Sequence, residues 1–298
     1  MFKRSNQSKK PTLMRDTVKN KTKVLVIGAP RSGTTLLAGL LSVDKEASPM
    51  LPECTYITQI IQHFHDLLRY SEPRRFASYV INESTLVGMY RTMVDSMLTT
   101  VQSHFKGIDY RYLVLKDPEL TRLIDFIPCF FGEESKIVCV VRDPRAVIAS
   151  MLVVERKKKK VLWLALVKNP GWIALENFVS QLFRERKLIS DFFVYYWRVH
   201  DSQLYKSGAV HIVCYEKIVL HDEDEFRRLE EYLGFSVGRE GFGEVAFGFD
   251  RSSPTYSAGY GQAIQATGSD FRKKLTHRQI KKIEAVFSGM NAIYGWWK

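Results

Sequence analysis

Two short stretches of this chain have the residue types and spacing needed to grip an anion. Gly28-Ala29-Pro30-Arg31-Ser32-Gly33-Thr34-Thr35 sets two glycines around a guanidinium and a hydroxyl and ends in two more hydroxyls. Arg142-Asp143-Pro144-Arg145 follows much later, with Ser150 eight residues beyond Arg142. Backbone amides at a helix start, guanidinium forks and hydroxyls all donate hydrogen bonds to tetrahedral oxyanions. Phosphate or sulfate is the chemistry these stretches suit.

The flanking residues say which elements must hold them. Val24–Ile27 is a continuous apolar run, the mark of a strand buried on both faces of a parallel sheet. Gly28 to Gly33 then makes a tight turn, and Thr34–Leu41 a helix whose first amides point into that turn. Lys136–Val141 is a second such run, and Pro144 suits the first position of a following helix. Arg142 then stands at the strand's carboxyl end, and Ser150 almost two turns along the helix. Tyr112–Lys116 ends at the charged turn Lys116-Asp117-Pro118. Ala209–Cys214 leads through Tyr215-Glu216 into an acid-rich amphipathic helix closed by Gly234. Strands alternate with helices throughout, so the expected fold is α/β, P-loop-like, with a central parallel sheet flanked by helices. Such sheets place ligands at strand carboxyl ends, where each of these motifs lies.

The first loop nearly matches the nucleotide triphosphatase pattern G-x-x-x-x-G-K-[ST], but Thr34 takes the lysine position. The cation within the loop is Arg31, earlier and inside the turn. A group held without magnesium by an arginine, amides and hydroxyls fits better than ATP.

Pro30-Arg31-Ser32-Gly33-Thr34-Thr35 resembles the first loop of the sulfotransferases that use 3′-phosphoadenosine 5′-phosphosulfate, in the arginine version found in carbohydrate and tyrosylprotein sulfotransferases. The resemblance implies that Arg31, Ser32, Gly33, Thr34 and Thr35 hold the 5′-phosphosulfate. Arg142 and Ser150 repeat the family's arginine and serine, eight residues apart after a strand, that hold the 3′-phosphate. Lys116-Asp117-Pro118 is similar to the Lys-Asp-Pro of tyrosylprotein sulfotransferases, which implies a place for Lys116 at the reacting sulfuryl group. The implied reaction moves a sulfuryl group to an acceptor hydroxyl of a carbohydrate or glycolipid, with peptide tyrosine or a small phenol or alcohol as the alternative. No metal is expected.

An acceptor hydroxyl must lose a proton as it attacks, so a carboxylate or histidine should face the sulfur. Glu53 in Leu51-Pro52-Glu53-Cys54-Thr55 resembles the Glu-Thr element that supplies the base in tyrosylprotein sulfotransferases, although here Cys54 intervenes. Asp117 is the second candidate. His63, His65 and His104 fall in helical patterns and are expected to pack or face solvent.

Residues 234–268 contain eight glycines and no clear periodicity, a connection long enough to cover an active site. Within it Arg251-Ser252-Ser253 resembles the family's cofactor-contacting Arg-Ser segment. The family's Ser-Lys-Trp appears as Ser269-Asp270-Phe271, with Arg272 and Lys273 as cations that resemblance offers to the 3′-phosphate.

The chain has 298 residues, 45% of them hydrophobic, enough for one α/β core. The expected organisation is a basic, disordered tail over residues 1–22 and a single domain over 23–298. The net charge of +12 raises a nucleic-acid reading, but residues 1–23 hold eight Lys/Arg against one Asp, and Arg156-Lys157-Lys158-Lys159-Lys160 hold most of the remainder. A basic groove across the fold is not indicated. Four cysteines without a C-x-x-C pair suggest reduced, packed thiols, and neither a signal peptide nor a membrane span is evident. A cytoplasmic enzyme is therefore expected. The five cations run into Val161–Val167 and then to Trp172, a pattern suited either to an anionic membrane surface or lipid-linked acceptor, or to a buried helix with a charged end. A P-loop kinase and a non-catalytic anion-binding module are the other function classes; the first lacks its lysine, and Glu53 and Lys116 argue against the second.

Overall fold

A computed structural model describes residues 21–70, 82–105, 107–168, 171–240 and 270–298. Ser252, most of the glycine-rich connection and almost all of the basic tail lie outside them. In chain order the elements are β1 (Thr22–Gly28), α1 (Thr34–Leu41), α2 (Thr55–Tyr70), α3 (Glu83–His104), β2 (Tyr112–Lys116), a 3₁₀ stretch (Pro118–Phe126), α4 (Ile127–Phe131) and β3 (Lys136–Val141). There follow α5 (Pro144–Lys168), α6 (Trp172–Asp201), α7 (Gln203–Lys206), β4 (Val210–Cys214), α8 (Tyr215–Val219), α9 (Glu223–Leu233), a 3₁₀ turn (Phe271–Lys273), α10 (His277–Val286) and α11 (Ser288–Tyr294).

The four strands form one parallel sheet in the order β2-β1-β3-β4. Alternate side chains of each strand leave opposite faces. Leu25, Ile27, Leu113, Leu115, Ile137 and Cys139 pack with Ile61, Phe64, Val94, Val147 and Phe192 of the long helices. Val24, Val26, Val114, Val138 and Val140 pack with Leu37, Leu40 and Leu41 of α1 and with Phe226, Leu229 and Leu233 of α9. Both faces being covered explains why the strands read as unbroken apolar runs rather than alternating ones.

The strand order reverses between β1 and β3. From β1 the chain proceeds to β2 on one side, and from β3 to β4 on the other, which opens a crevice at the carboxyl ends of the central pair. Gly28 and Val140 face each other there. A Cβ on Gly28 would stand 2.4 Å from the Val140 carbonyl oxygen, so this close approach requires glycine.

Two expectations about helices change. The acid-rich stretch after β4 is two helices, broken at His221, whose φ is +56°, and restarted by Asp222, which accepts from the Glu225 amide at 3.1 Å. The helix after Pro144 runs on through the cationic cluster to Lys168 and packs along α6 as a long hairpin. Val161, Trp163, Leu164 and Val167 are exposed, so the buried-helix reading of that segment does not hold. Of the histidines, His63 is exposed, its Nδ1 2.6 Å from the Tyr90 hydroxyl.

Candidate functional site

The loop after β1 is fastened from beneath. The Thr121 hydroxyl accepts from the Gly28 amide at 2.7 Å and donates to the Gly28 carbonyl at 3.1 Å, and the Ser32 amide closes the turn onto the Ala29 carbonyl at 3.0 Å. Arg31 takes the left-handed conformation with φ +72°, which for a side-chain-bearing residue costs roughly 1–3 kcal/mol and turns the chain within the loop. Gly33, with φ +108°, starts α1, and a Cβ there would lie 2.3 Å from the Tyr215 ring. No side chain caps α1 and its first turn holds no acid, so neither competes for its leading amides. Ser32 is wholly buried and its hydroxyl lacks a hydrogen-bond partner. An unpartnered buried hydroxyl, a glycine-lined turn and uncapped amides together fit a small tetrahedral oxyanion.

Arg142 extends from the end of β3 across the Tyr215 ring, 4.0 Å from its centroid, and donates to the Arg31 carbonyl at 3.2 Å. Its own carbonyl accepts from the Tyr196 hydroxyl at 2.6 Å. Asp143 and Arg145 are structural: the Arg145 guanidinium is clamped between Asp143 at 2.7 Å and Glu284 at 2.8 Å, and it stacks on Phe271 and Trp297. Glu216 accepts from the Asp143 amide at 2.9 Å, and burial pushes its carboxyl above the usual range. From the first turns of α5, Ser150 accepts a hydrogen bond from Arg31 Nε at 3.2 Å. The loop after β1 and the stretch from Arg142 to Ser150 therefore meet.

On the other side of β1, Glu53 pairs with the end of β2. It forms an isolated parallel bridge with Lys116, the next amide, Cys54, donates to the Lys116 carbonyl at 3.0 Å, and Lys116 Nζ lies 3.0 Å from Glu53 Oε1. Lys116 is 3% exposed and Glu53 about half exposed, at 49%. A buried ammonium thus presents a carboxylate to solvent. Lys116 is in register with Val26, two residues short of Gly28, which sets this pair beside the loop.

Asp117 is differently occupied. Its Oδ2 accepts from the Thr58 hydroxyl at 2.7 Å, and its Oδ1 caps the following 3₁₀ stretch through the Glu119 amide at 2.9 Å. Burial raises its pKa, against the lowering effect of those two hydrogen bonds. Burial likewise pushes the Cys54 and Cys139 thiols up to about 12 and Cys214 to about 11, so none offers a thiolate at neutral pH.

The remaining candidates divide between the loop and the surface. Thr34 is buried and Thr35 half-buried in the first turn of α1. Lys273 pairs with Asp270 at 3.2 Å on the surface, and Arg272 lies over the Phe271 ring. Among the described residues neither meets Arg142 or Ser150. Sequence reasoning did not single out Thr121, Thr58 or Tyr196, and it read Tyr215 only as the link from a strand into the helix after it. Their hydroxyls and rings act across long sequence separations, and no local pattern marks them.

A family model described as a sulfotransferase family matches residues 23–238. Among solved structures, the chain is similar to the sulfotransferase domain of an olefin synthase from Synechococcus PCC 7002, at 16% identity and a TM-score of 0.51, over 90% of this chain and 95% of that one. A sulfotransferase from Mycobacterium avium aligns at 13% identity and a TM-score of 0.49, over 92% of this chain and 77% of that one. No curated protein sequence matches closely enough to count as a relative.

Proposed function

Because the chain belongs to the sulfotransferase family, and is an enzyme of sulfuryl transfer on that ground, we propose that its donor is 3′-phosphoadenosine 5′-phosphosulfate and its acceptor a carbohydrate or glycolipid hydroxyl. The observation that carries this reading is the Lys116–Glu53 pair at 3.0 Å, a cation and a carboxylate side by side next to an anion-fitting loop. When bound, the donor supplies an activated sulfuryl group.

The residues divide the work by position. The amides of Gly33, Thr34 and Thr35, the Ser32 hydroxyl and Arg31 hold the phosphosulfate end, and Arg142 with Ser150 holds the 3′-phosphate. Arg31 and Lys116 stabilise negative charge as it grows on the departing oxygen, the work a metal does in kinases. Glu53 accepts the proton of the attacking hydroxyl at a carboxylate oxygen, and Lys116 holds that carboxylate in place. Asp117 positions: it ties the end of β2 to Thr58 of α2 and so fixes the backbone on which Lys116 stands.

Tyr56 supports a ring-shaped acceptor. It lies in the first turn of α2, three residues after Glu53, and is 80% exposed. An exposed aromatic face beside a proton acceptor suits stacking against a sugar or a phenol.

The test combines binding and product. Adenosine 3′,5′-bisphosphate should raise the melting temperature without metal, while ATP with magnesium should not. Incubation with the sulfuryl donor and panels of sugars, glycolipids, phenols and tyrosine peptides should give a mass gain of one sulfuryl group on the carbohydrates. A thermal response to ATP–magnesium alone would overturn the donor assignment, and product on tyrosine peptides alone would overturn the acceptor.

A further inference from the structure

The α5–α6 hairpin carries an exposed apolar tip that the sulfuryl site does not use. Arg156, Lys160, Trp163, Leu164 and Val167 recur at i, i+4, i+7, i+8 and i+11 along α5, which puts them on one face of the helix. All five are exposed. The order along that face is cations first, then apolar side chains toward the tip. On α6, Trp172, Leu175 and Val179 repeat the pattern at i, i+3 and i+7, with Trp172 79% and the neighbouring Ile173 75% exposed. Leu162, Leu166 and Phe178 are half-buried.

We propose that this tip docks on an anionic lipid surface, its apolar side chains entering the headgroup–acyl boundary and its cations lying level with the phosphates. From Lys160 to Val167 the helix rises about 10 Å, so with the tip toward the lipid the exposed cations up to Lys160 stand about 10 Å above the apolar end. Residues 156–180 contain six cations and one acid, Glu176. That charge suits anionic headgroups, each Lys or Arg near the surface adding favourable attraction. It opposes a second copy as occupant, because a two-fold interface would set the same cationic face against itself. No described helix is long and apolar enough to cross a membrane, so docking stays at the interface. Ser150, ten residues before Lys160 on the same helix, is about 15 Å further from the lipid along the helix axis. The proposal is independent of the acceptor's identity.

The experiment is co-sedimentation of the full chain with sucrose-loaded vesicles of phosphatidylcholine alone and of equimolar phosphatidylcholine and phosphatidylserine. The protein should pellet with the anionic vesicles and stay free with the neutral ones, and the bound fraction should fall with added salt. Lys160→Gln should weaken the partition about fivefold and Arg156→Gln/Lys160→Gln correspondingly more. Trp172→Ala/Ile173→Ala should weaken it by more than about tenfold. Because these side chains are exposed, the variants should keep the wild-type melting temperature and its response to adenosine 3′,5′-bisphosphate. Failure of the wild type to bind anionic vesicles would overturn the proposal. So would equal binding to neutral vesicles, undiminished binding by the Trp172/Ile173 variant, or a wild-type dimer in sedimentation velocity that this variant dissociates.

Discussion

Arg31 Nε donates to Ser150 Oγ at 3.2 Å across 119 residues of sequence, while the Arg31 carbonyl accepts from Arg142. Two guanidinium groups are thereby drawn to one crevice, and among the described residues neither forms an ion pair with a carboxylate. A bound anion would supply the counter-charge that both lack. The contacts also pre-position both cations before any ligand arrives.

Arg142→Ala should weaken adenosine 3′,5′-bisphosphate by about 2–5 kcal/mol, the scale for removing one partner of a buried charged pair. Adenosine 5′-monophosphate, without the 3′-phosphate, should bind the variant nearly as well as the wild type. Calorimetric titration of both nucleotides checks this, and equal losses would refute the role given to Arg142.

Glu53→Gln and Asp117→Asn separate the proton acceptor from the positioning carboxylate. The first should lower kcat by roughly 10²–10⁴-fold with nucleotide affinity unchanged. The second keeps an acceptor oxygen for the Glu119 amide and turns the Thr58 hydroxyl from donor to acceptor, its proton passing to the Cys54 carbonyl, so kcat should stay within about tenfold. A reversed order of losses in steady-state kinetics would move the base to Asp117.

Gly33→Ala places a methyl group against the Tyr215 ring at a φ of +108°. Destabilisation of roughly 1–3 kcal/mol is expected from the backbone conformation alone. Denaturant unfolding measures that loss. Tyr215→Ala in the same background should return part of it by removing the clash, but not the backbone part.

Tyr56→Ala should raise the acceptor KM about tenfold with little effect on kcat, because the exposed ring holds the acceptor in ground and transition state alike. Full-length kinetics with a sugar acceptor would show it. A fall in kcat with KM unchanged would contradict a stacking role.

Burial holds His200 and His211 below their ordinary value of 6.5. Between the lowered folded values and 6.5 the unfolded chain binds more protons, so this contribution to stability is present above about 6.5 and is lost as pH falls through that window. Asp117 and Glu216, raised by burial, act in the opposite sense, their contribution being lost as pH rises above the ordinary carboxylate values. Melting temperatures of the wild type and of His200→Gln/His211→Gln at about pH 7.5 and about pH 5.5 isolate the histidines: the acid-side drop should be smaller in the double variant.

The sequence alone determined the local pieces. Unbroken apolar runs at Val24–Ile27 and Lys136–Val141 marked strands covered on both faces, because a parallel sheet leaves no side of a central strand for polar residues. The glycine positions around Arg31 and the proline at the start of α5 fixed turn and helix start through backbone sterics, which act over a few residues and so can be read in order. What the tertiary structure decided is which pieces meet. Arg31 on Ser150, Lys116 on Glu53 and Thr58 on Asp117 are side-chain contacts set by sheet order and register, and those follow from packing across the whole core. The same holds for α5: its pattern of cations then apolar residues fitted both a buried and an exposed helix. Only its extension beyond the core, in a hairpin with α6, leaves Trp163 and Val167 facing solvent, because among the described residues no third layer reaches that far to cover them.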